Sequence, residues 1–303
     1  MRKAKPLSLW ILSDKRLGHL NQSLALQEAI HQYRVSMLHV IELKSAIDPL
    51  LILFGTHHQT KHLPEPDIII GTGHHTHLAS IAAKFRYKCK AVIIMKPSLP
   101  FFLFDLLLIP SHDMPKHRKN IIITEGALSR VRPRKRTVSS QLIIIGGPSK
   151  HFDINGQNLI KKISTILEDS SNKILINLTD SPRTPNAIRR QIASTFSTLY
   201  RPWENYNLGE LQEQMSASTT IWITEDSMSM IYDSLSSGAQ VVLIDIERKD
   251  ENRISTAIDS LLSRNIATSY SEWLSTKKIK RLDPPLNEAA RCAQTLLKKF
   301  DFL

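Results

Sequence analysis

The 303-residue chain has few cysteines, few aromatic residues and no long apolar run, and each scarcity argues against a class of protein. Its two cysteines, Cys89 and Cys292, form no CxxC pair, so neither a disulfide scaffold nor a cysteine zinc site is predicted. No apolar run reaches the ~20 residues that a membrane-spanning helix needs. The first one, Leu7–Leu12, is too short for a signal peptide. We therefore expect a cytoplasmic protein that meets a membrane, if at all, peripherally on its inner face.

Acidic residues are scarce in the first half only. Residues 1–140 contain 21 Lys and Arg against 9 Asp and Glu, whereas residues 141–303 contain 19 of each. The positive excess predicts an anionic partner, lipid or nucleic acid, unless it is only a solvated basic surface. Aromatic residues make up 6% of the chain and do not alternate with basic ones, which argues against nucleic acid. An anionic membrane surface or a lipid-linked acceptor is the remaining expectation.

Short runs of Ile, Leu and Val alternate with amphipathic segments, which is the pattern of βα units on a parallel sheet. Strands are predicted at Leu7–Leu12, Val35–Leu43, Asp67–Gly71, Ala91–Met95, Leu106–Ile109, Asn120–Thr124, Leu142–Ile145, Lys173–Leu178, Thr220–Ile223 and Val241–Ile244. Helices are predicted at Asn21–Gln32, His77–Phe85, Gln157–Glu168, Pro185–Thr195, Met228–Ser237, Asn252–Ser263 and Leu286–Phe300. The polar stretch 130–140 is interpreted as a linker between two α/β domains, residues 1–138 and 139–303.

The most informative segment is Gln141–Phe152, where an apolar run stops at Gly146-Gly147-Pro148-Ser149-Lys150 and a helical pattern follows. A strand, a glycine turn and a helix N-terminus together present backbone N–H groups to a phosphate. The segment lacks GxxxxGK[ST], so kinase or ATPase chemistry is not predicted. Lys150 either pairs with a phosphate or is an exposed lysine without a ligand. We expect Gly147→Val to abolish nucleotide binding and to leave the fold intact.

Two later loops also follow predicted strands. One contains, in order, Thr224, Glu225, Asp226, Ser227, Ser229 and Asp233. Its acids suit the hydroxyls of a ribose or sugar, or they are acids favoured by a helix N-terminus. The other loop, TDSPRTP at 179–185, contains Arg183, which either pairs with a diphosphate through its planar fork or has no ligand.

In the first half, the segment Ser13–Ile30 places His19 just after a strand, at the edge where open α/β sheets bind ligands. Histidine titrates near neutral pH and suits a general base for a hydroxyl. The alternative is a turn histidine bonded to the backbone. A second turn, Gly71-Thr72-Gly73, precedes a cluster of histidines that includes His74. The cluster lacks HExxH or Cys/His zinc spacing, so no metal site is predicted.

Six segments carry a resemblance to a known family: SDxRxGHxNQ, PDxxIGTGxxTH, PSLPxxxFDLLLIPxHD, NIIITEGALSRV, IGGPSKHF and TEDSMSM. They resemble the elongated-mitochondria, or mitochondrial fission, protein family, whose plant members are linked to mitochondrial division. Lys15 and Leu17 stand where that family usually has Gly and Pro. The family is similar to GT-B glycosyltransferases. The resemblance thus implies two Rossmann-like α/β domains whose parallel sheets face each other across a cleft, with the last helix packing back toward the first domain.

The resemblance also implies site residues. A looser similarity reaches the peptidoglycan GlcNAc transferase, whose ribose-binding acid lies five residues before a glycine, as Asp233 lies before Gly238. The implied donor site contains Gly146, Gly147, Ser149, Lys150, Arg183, Thr224, Glu225, Asp226, Ser227, Ser229 and Asp233. The implied acceptor side contains Arg16, Gly18, Asn21, Gln22, Gly71, Thr72, Gly73 and His74. The implied catalytic pair is His19 with Asp14.

These expectations describe a metal-independent GT-B glycosyltransferase with a nucleotide-sugar as its substrate and no other cofactor. Its acceptor would be membrane-associated or part of the cell envelope. The alternative is a non-catalytic membrane-associated adaptor that retains the fold. The basic first half also predicts a membrane-facing patch of Phe101, Phe102 and Phe104 beside Lys96, Lys116, Arg118 and Lys119.

Overall fold

The computed structural model describes residues 5–136, 138–170, 174–207 and 209–303. The chain divides into two compact units. Unit 1 contains the residues up to Arg130 together with Asn287–Leu303, and unit 2 contains Val131–Leu286. In this division residues 131–138 belong to unit 2, whereas the expected boundary lies after residue 138. The C-terminal segment belongs to unit 1, toward which the last helix is predicted to pack.

Unit 1 is built from alternating strands and helices. They are β1 (Leu7–Ser13), α1 (Leu17–Tyr33), β2 (Ser36–Glu42), α2 (Asp48–Leu53), β3 (Ile68–Thr72), α3 (His77–Tyr87), β4 (Lys90–Ile94), β5 (Leu106–Pro110) and β6 (Ile121–Thr124). The strands form one parallel sheet in the order β2-β1-β3-β4-β5-β6. The order reverses between β1 and β3, and such a switch point opens a crevice at the carboxyl ends of the strands.

Unit 2 follows the same plan. Its elements are β7 (Ser140–Ile144), β8 (Phe152–Asp153), α4 (Gly156–Asp169), β9 (Leu175–Thr179), α5 (Asn186–Thr195), α6 (Glu210–Ala217), β10 (Thr220–Thr224), α7 (Met228–Ser236), β11 (Gln240–Ile244), β12 (Glu247–Arg248), α8 (Arg253–Ser263), β13 (Thr268–Ser269) and α9 (Tyr270–Thr276). Five strands form a parallel sheet in the order β13-β11-β10-β7-β9. Its order reverses between β7 and β10.

The last helix, α10 (Glu288–Lys299), packs against α1 inside unit 1. Its apolar face buries Ala293, Leu296 and Leu297 among the core residues of the β1 sheet. At its start, the backbone N–H of Glu125 donates to Glu288 Oε2 over 2.8 Å. The contacts explain why the segment from Asn287 belongs to this unit, although it lies at the far end of the chain.

Most predicted elements are present within a few residues of their expected bounds, and three differences bear on the site. Helix α1 begins at Leu17 and not at Asn21, so Gly18 lies in its first turn. The short strand β8 separates the glycine turn from α4 and pairs antiparallel with β12. The short helices α2, α6 and α9 were not predicted. The predicted start of the β9 strand, Lys173, lies outside the described residues.

The predicted phenylalanine patch is only partly exposed. Phe102 is 78% exposed, and the Arg118 guanidinium stacks over the ring of Phe101. Phe104 is buried in the core among residues of β4 and β5, and its ring packs edge-on against His77. Expecting Phe104 in the patch was therefore wrong. No helix within the described residues is long and apolar enough to cross a membrane.

Candidate functional site

The switch point of unit 1 brings Asp14 and His19 together. Asp14 follows β1, and His19 lies in the first turn of α1. The carboxylate Oδ2 of Asp14 lies 2.9 Å from Nδ1 of His19, and the Asp14 side chain is almost entirely buried. With Asp14 accepting the Nδ1 proton, the other ring nitrogen, Nε2, is the one free to accept a proton. Nε2 has no hydrogen-bond partner among the described residues.

Gly73 makes room for this histidine. Its φ of 84° lies in the region that favours glycine. A Cβ at this position would lie 2.5 Å from Cε1 and 2.6 Å from Nδ1 of His19. The glycine that follows β3 is therefore needed for both the backbone path and the placement of the imidazole.

The other residues expected on the acceptor side lie around the same edge. Thr72 Oγ1 is hydrogen-bonded to Ser23 on α1 over 2.7 Å, which ties the end of β3 to this helix. Gly71 packs against the side chains of Thr76 and Ser80. Four residues lie before or within α1: Arg16, whose N–H donates to Asp14, then Gly18, Asn21 and Gln22. Arg16 and Gly18 are exposed, whereas Asn21 and Gln22 are partly buried.

A cavity of about 580 Å³ opens beside Asp14. His74 and His75 line it with rings that are tilted by 38° and whose centroids lie 3.8 Å apart. Lys44 lines it from the loop after β2. The described ranges contain no group of three or more His, Cys, Asp or Glu that could hold a metal ion. The cavity is large enough for a small polar ligand and adjoins the Asp14–His19 pair.

In unit 2, three loops meet at the carboxyl ends of β7, β9 and β10. They are the glycine turn at 146–150, the 180–185 loop and the 225–227 loop. The hydroxyl of Thr184 donates to the carbonyl of Gly146 over 2.6 Å. The N–H of Gly146 donates to Thr224 Oγ1 over 2.7 Å. The strand order therefore assembles most of the residues expected at the donor site.

The backbone N–H groups of the two glycines already have partners. Gly146 N–H is bonded to Thr224, and Gly147 N–H donates to Asp226 Oδ2 over 3.2 Å. The glycines fit closely against these neighbours. A Cβ on Gly146 would lie 2.1 Å from Asp226 Oδ1, and a Cβ on Gly147 would lie 2.1 Å from the carbonyl oxygen of Arg183. A phosphate at this edge would thus have to be bound by other groups, and a larger residue at Gly147 would disturb the fold.

Arg183 is the best placed of those groups. Its Nη2 donates to Asp226 Oδ2 over 2.5 Å, and its side chain is 41% exposed while that of Asp226 is fully buried. Asp226 also accepts from Thr224 Oγ1 over 2.7 Å. Nη1 of Arg183 donates to the Gly147 carbonyl over 3.4 Å. The carboxylate and this carbonyl thus fix the guanidinium, while the side chain stays partly exposed. A planar guanidinium held in this way suits the oxygens of a diphosphate.

Helix α7 starts beside Arg183. Ser227 is its N-cap, and no side chain within the described residues caps the helix. Its first N–H groups therefore remain available to an anion. Ser229 is exposed in the first turn, where its hydroxyl lies 3.5 Å from that of Ser227. Asp233 is partly exposed, six residues after the N-cap.

Glu225 is buried and paired with Arg248, which sequence reasoning did not identify. Its Oε2 accepts from Arg248 Nη2 over 2.9 Å, and Oε1 accepts from Nε over 3.2 Å. The pair raises the pKa of Arg248 above its ordinary value, first through the hydrogen bond to Glu225. Thus Glu225 and Asp226 bind arginines of the fold. A sequence pattern of acids after a strand does not reveal these ion pairs, because Arg248 and Arg183 lie far from the acids in the sequence.

Ser149 and Lys150 lie where the glycine turn enters β8. Ser149 Oγ accepts from the N–H groups of His151 and Phe152, each over 3.2 Å. His151 in turn is bonded to Asp250 over 2.8 Å. Lys150 is exposed at the tip of the turn. Ser149 therefore shapes the turn, and Lys150 is an exposed cation at its tip.

Two α/β units, each with a parallel sheet and polar loops at its switch point, define the GT-B class of fold, and known structures agree. The chain is similar to UDP-GlcNAc 2-epimerase from Neisseria meningitidis bound to UDP-GlcNAc. That match has a TM-score of 0.53 and 13% identity, and it covers 97% of this chain and 100% of the other. It is also similar to the glycotransferase of kitacinnamycin, with a TM-score of 0.53, 10% identity and coverage of 98% and 100%. At such identities the matches show the fold alone.

The family follows from sequence. The family model for mitochondrial fission ELM1 matches residues 17–300, so the chain belongs to that family. It is 25% identical over 353 residues to an uncharacterized protein, RP120, of Rickettsia prowazekii (strain Madrid E), with 96% of this chain and 98% of the other covered. The expected family and the GT-B fold are therefore both confirmed.

Proposed function

We propose that this protein is a nucleotide-sugar enzyme that transfers a sugar to an acceptor hydroxyl. The observation that carries the proposal is Arg183, which the buried Asp226 holds at the carboxyl edge of the unit 2 sheet, beside the uncapped start of α7. An exposed guanidinium and a helix N-terminus together suit a diphosphate. The similar epimerase bound to UDP-GlcNAc supports a nucleoside diphosphate sugar as the ligand.

In the proposed reaction, the bond between the anomeric carbon and the diphosphate breaks, and a bond from that carbon to the acceptor oxygen forms. The acceptor proton passes to Nε2 of His19, whose tautomer Asp14 fixes through Nδ1. The electron pair of the broken bond leaves with the diphosphate, whose growing charge Arg183 and Lys150 offset. Asp233 accepts hydrogen bonds from the ribose. Since side chains and helix N–H groups neutralise the leaving group, the proposed step needs neither a metal ion nor a cofactor.

A membrane-associated acceptor is proposed from unit 1, because Phe102 is 78% exposed and Arg118 stacks on the neighbouring Phe101. An exposed aromatic ring beside a cation suits an anionic lipid surface. Sedimentation with anionic vesicles tests this at low and high salt. Phe102→Ser should reduce binding, whereas Leu175→Ser, at an exposed apolar position of unit 2, should not. Binding that is indifferent to salt and to Phe102→Ser would contradict the proposal.

A non-catalytic adaptor is the second candidate function, and one observation favours it. The N–H groups of Gly146 and Gly147 are bonded to Thr224 and Asp226, so neither glycine offers a free donor to a phosphate. A protein that had lost nucleotide binding could tolerate such a turn. The two functions differ in a measurable way, because an adaptor need not bind nucleotide.

Titration calorimetry with UDP tests the enzyme proposal. Wild-type protein should bind, and Asp233→Ala should weaken binding by ~1–3 kcal/mol, the range for a lost hydrogen bond involving a charged group. Arg183→Lys keeps the charge facing Asp226 but loses the fork, so it should also weaken binding. Arg190→Gln removes an exposed cation of α5 outside the loops and serves as the control. Absence of nucleotide binding by the wild type would favour the adaptor.

The product distinguishes transfer from epimerisation. With UDP-GlcNAc and no acceptor, a transferase should release UDP only slowly, by hydrolysis, whereas an epimerase would interconvert sugars without any acceptor. Loss of turnover in His19→Ala with retained UDP binding would support the assigned base. Unchanged turnover in that variant would contradict it.

A further inference from the structure

The opposite edge of the unit 2 sheet has a cavity of about 500 Å³ that no part of the proposed reaction uses. Four of the six side chains that line it are cations: Arg134, Lys135, Arg136 and Arg281, together with Thr219 and Gln240. Thr219 precedes β10, and Gln240 begins β11, so this amino-edge cavity lies where the strands start. The fold brings together two basic runs, 134–136 and 280–281, that lie about half the chain apart.

Arg136 is the innermost of these cations. Its Nη2 donates to the Ser237 carbonyl over 2.6 Å and its Nη1 donates to the Gly238 carbonyl over 3.0 Å, at the end of α7. Nε is buried and has no hydrogen-bond partner among the described residues. Burial lowers the pKa of Arg136, and the like charge of Arg281 lowers it further. The guanidinium is thus held by carbonyls and not by a carboxylate.

The charges of the other three cations are also poorly neutralised by carboxylates. Arg134 lies 3.6 Å from Glu213, and both side chains are more than half exposed, so this ion pair is weak. Neither Lys135 nor Arg281 has a carboxylate within 4.0 Å in the described ranges. Four cations facing one cavity repel one another, and a bound anion would relieve that repulsion.

We propose that the amino-edge cavity is a binding site for a phosphate group carrying two or more negative charges. A pyrophosphate in solution and the phosphomonoester headgroup of a lipid share this chemistry. The volume exceeds what one phosphate fills, which leaves room for the group that bears it. Arg136 binds from the base of the cavity, while Lys135 and Arg281 are exposed at its rim.

This site is separate from the proposed nucleotide site. Helix α7 starts at the carboxyl edge beside Arg183 and ends at the carbonyls that Arg136 binds. Its nine residues span about 13 Å at the usual helical rise. The inference therefore does not depend on nucleotide binding, and its test can fail or succeed independently of that proposal.

The test compares two double variants of the full-length protein that remove the same charges. Lys135→Gln with Arg281→Gln changes the rim and spares Arg136, which holds α7. Lys161→Gln with Arg190→Gln changes exposed cations elsewhere in unit 2. Thermal unfolding first establishes that both variants fold. Calorimetry with sodium pyrophosphate then measures soluble phosphate, and sedimentation with phosphatidylcholine vesicles, with and without phosphatidic acid, measures the lipid source.

Wild type should bind at least one probe saturably. The rim variant should lose at least about tenfold in affinity, because it removes two of the four cations that line the cavity. The control should stay within about twofold of wild type. Binding of pyrophosphate alone would show that the ligand is a soluble phosphate. Binding to phosphatidic acid vesicles alone would show that it is a lipid headgroup. No saturable binding of either probe, or equal loss in both variants, would overturn the proposal. Binding of single-stranded RNA without either probe would overturn it as well.

Discussion

Replacing Gly147 with alanine should destabilise unit 2 severely. The new Cβ would lie 2.1 Å from the carbonyl oxygen and 2.3 Å from the carbonyl carbon of Arg183. Both are backbone atoms, so no rotamer change removes the overlap. The glycine turn and the 180–185 loop would have to separate, which breaks the hydrogen bond from Gly147 N–H to Asp226 and displaces Arg183 from the same carboxylate.

The cost can be estimated from these contacts. Overpacking a close-packed site costs about 1–3 kcal/mol. Each lost hydrogen bond to the buried Asp226 carboxylate adds about 1.5–3 kcal/mol, although neighbouring effects do not add fully. We therefore expect Gly147→Ala to lower the free energy of unfolding by about 3–5 kcal/mol. That is a large part of the ~5–15 kcal/mol that usually stabilises a domain.

Urea unfolding followed by tryptophan fluorescence measures the change, because three of the four tryptophans belong to unit 2: Trp203, Trp222 and Trp273. The midpoint should fall by roughly 2 M at a typical slope. Gly18→Ala is the matched control. No atom lies within 4 Å of a Cβ at this helical position, so it should be neutral or slightly stabilising. A Gly147→Ala midpoint equal to that of Gly18→Ala would refute the reasoning.

Three further predictions rest on single contacts. Burial lowers the pKa of His77 to about 4. Its contribution to the free energy of unfolding should therefore be complete above pH ~6.5 and fall by up to about 3 kcal/mol as the pH drops toward 4. Urea titrations at several pH values should show a smaller pH dependence for His77→Gln than for the wild type. Gly73→Ala should push the His19 ring from its place and shift its imidazole resonances in NMR; unchanged resonances would contradict the packing. Glu225→Gln should cost about 2–4 kcal/mol in urea unfolding, because it leaves the partly buried Arg248 short of a carboxylate; a loss below ~1 kcal/mol would contradict this.

The sequence predicted the two parallel sheets well, because their strands are continuous apolar runs that follow from burial on both faces. The runs at Leu7–Leu12 and Leu142–Ile145 are examples, and both are buried strands. Short elements with a weak signal were not predicted. Strand β8 has two residues, and its partner β12 lies almost a hundred residues later, so no local sequence pattern predicts their pairing.

The residue types of the site were also predictable, but their partners were not. His19 and Arg183 are candidates in the sequence because each follows a predicted strand, and ligands bind at that edge of an open α/β sheet. The structure adds that Asp14 holds the first and Asp226 holds the second. The second pairing joins different βα loops, and it depends on the strand order β10-β7-β9, which the spacing of the motifs does not contain.

At the carboxyl edge of its sheet, each unit has a buried carboxylate, and the two carboxylates have different partners. In unit 1, a buried carboxylate orients a histidine whose second nitrogen is left without a partner among the described residues. In unit 2, a buried carboxylate takes up the N–H of Gly147 and orients an arginine. A phosphate there would be bound by the exposed part of Arg183, by Lys150 and by the start of α7, and not by the N–H groups of Gly146 and Gly147. Such binding depends on charges near the surface, so we expect it to weaken strongly with salt. Backbone cradling by buried N–H groups would instead be nearly indifferent to salt, which makes the salt dependence of UDP affinity a direct measure of which groups bind the phosphates.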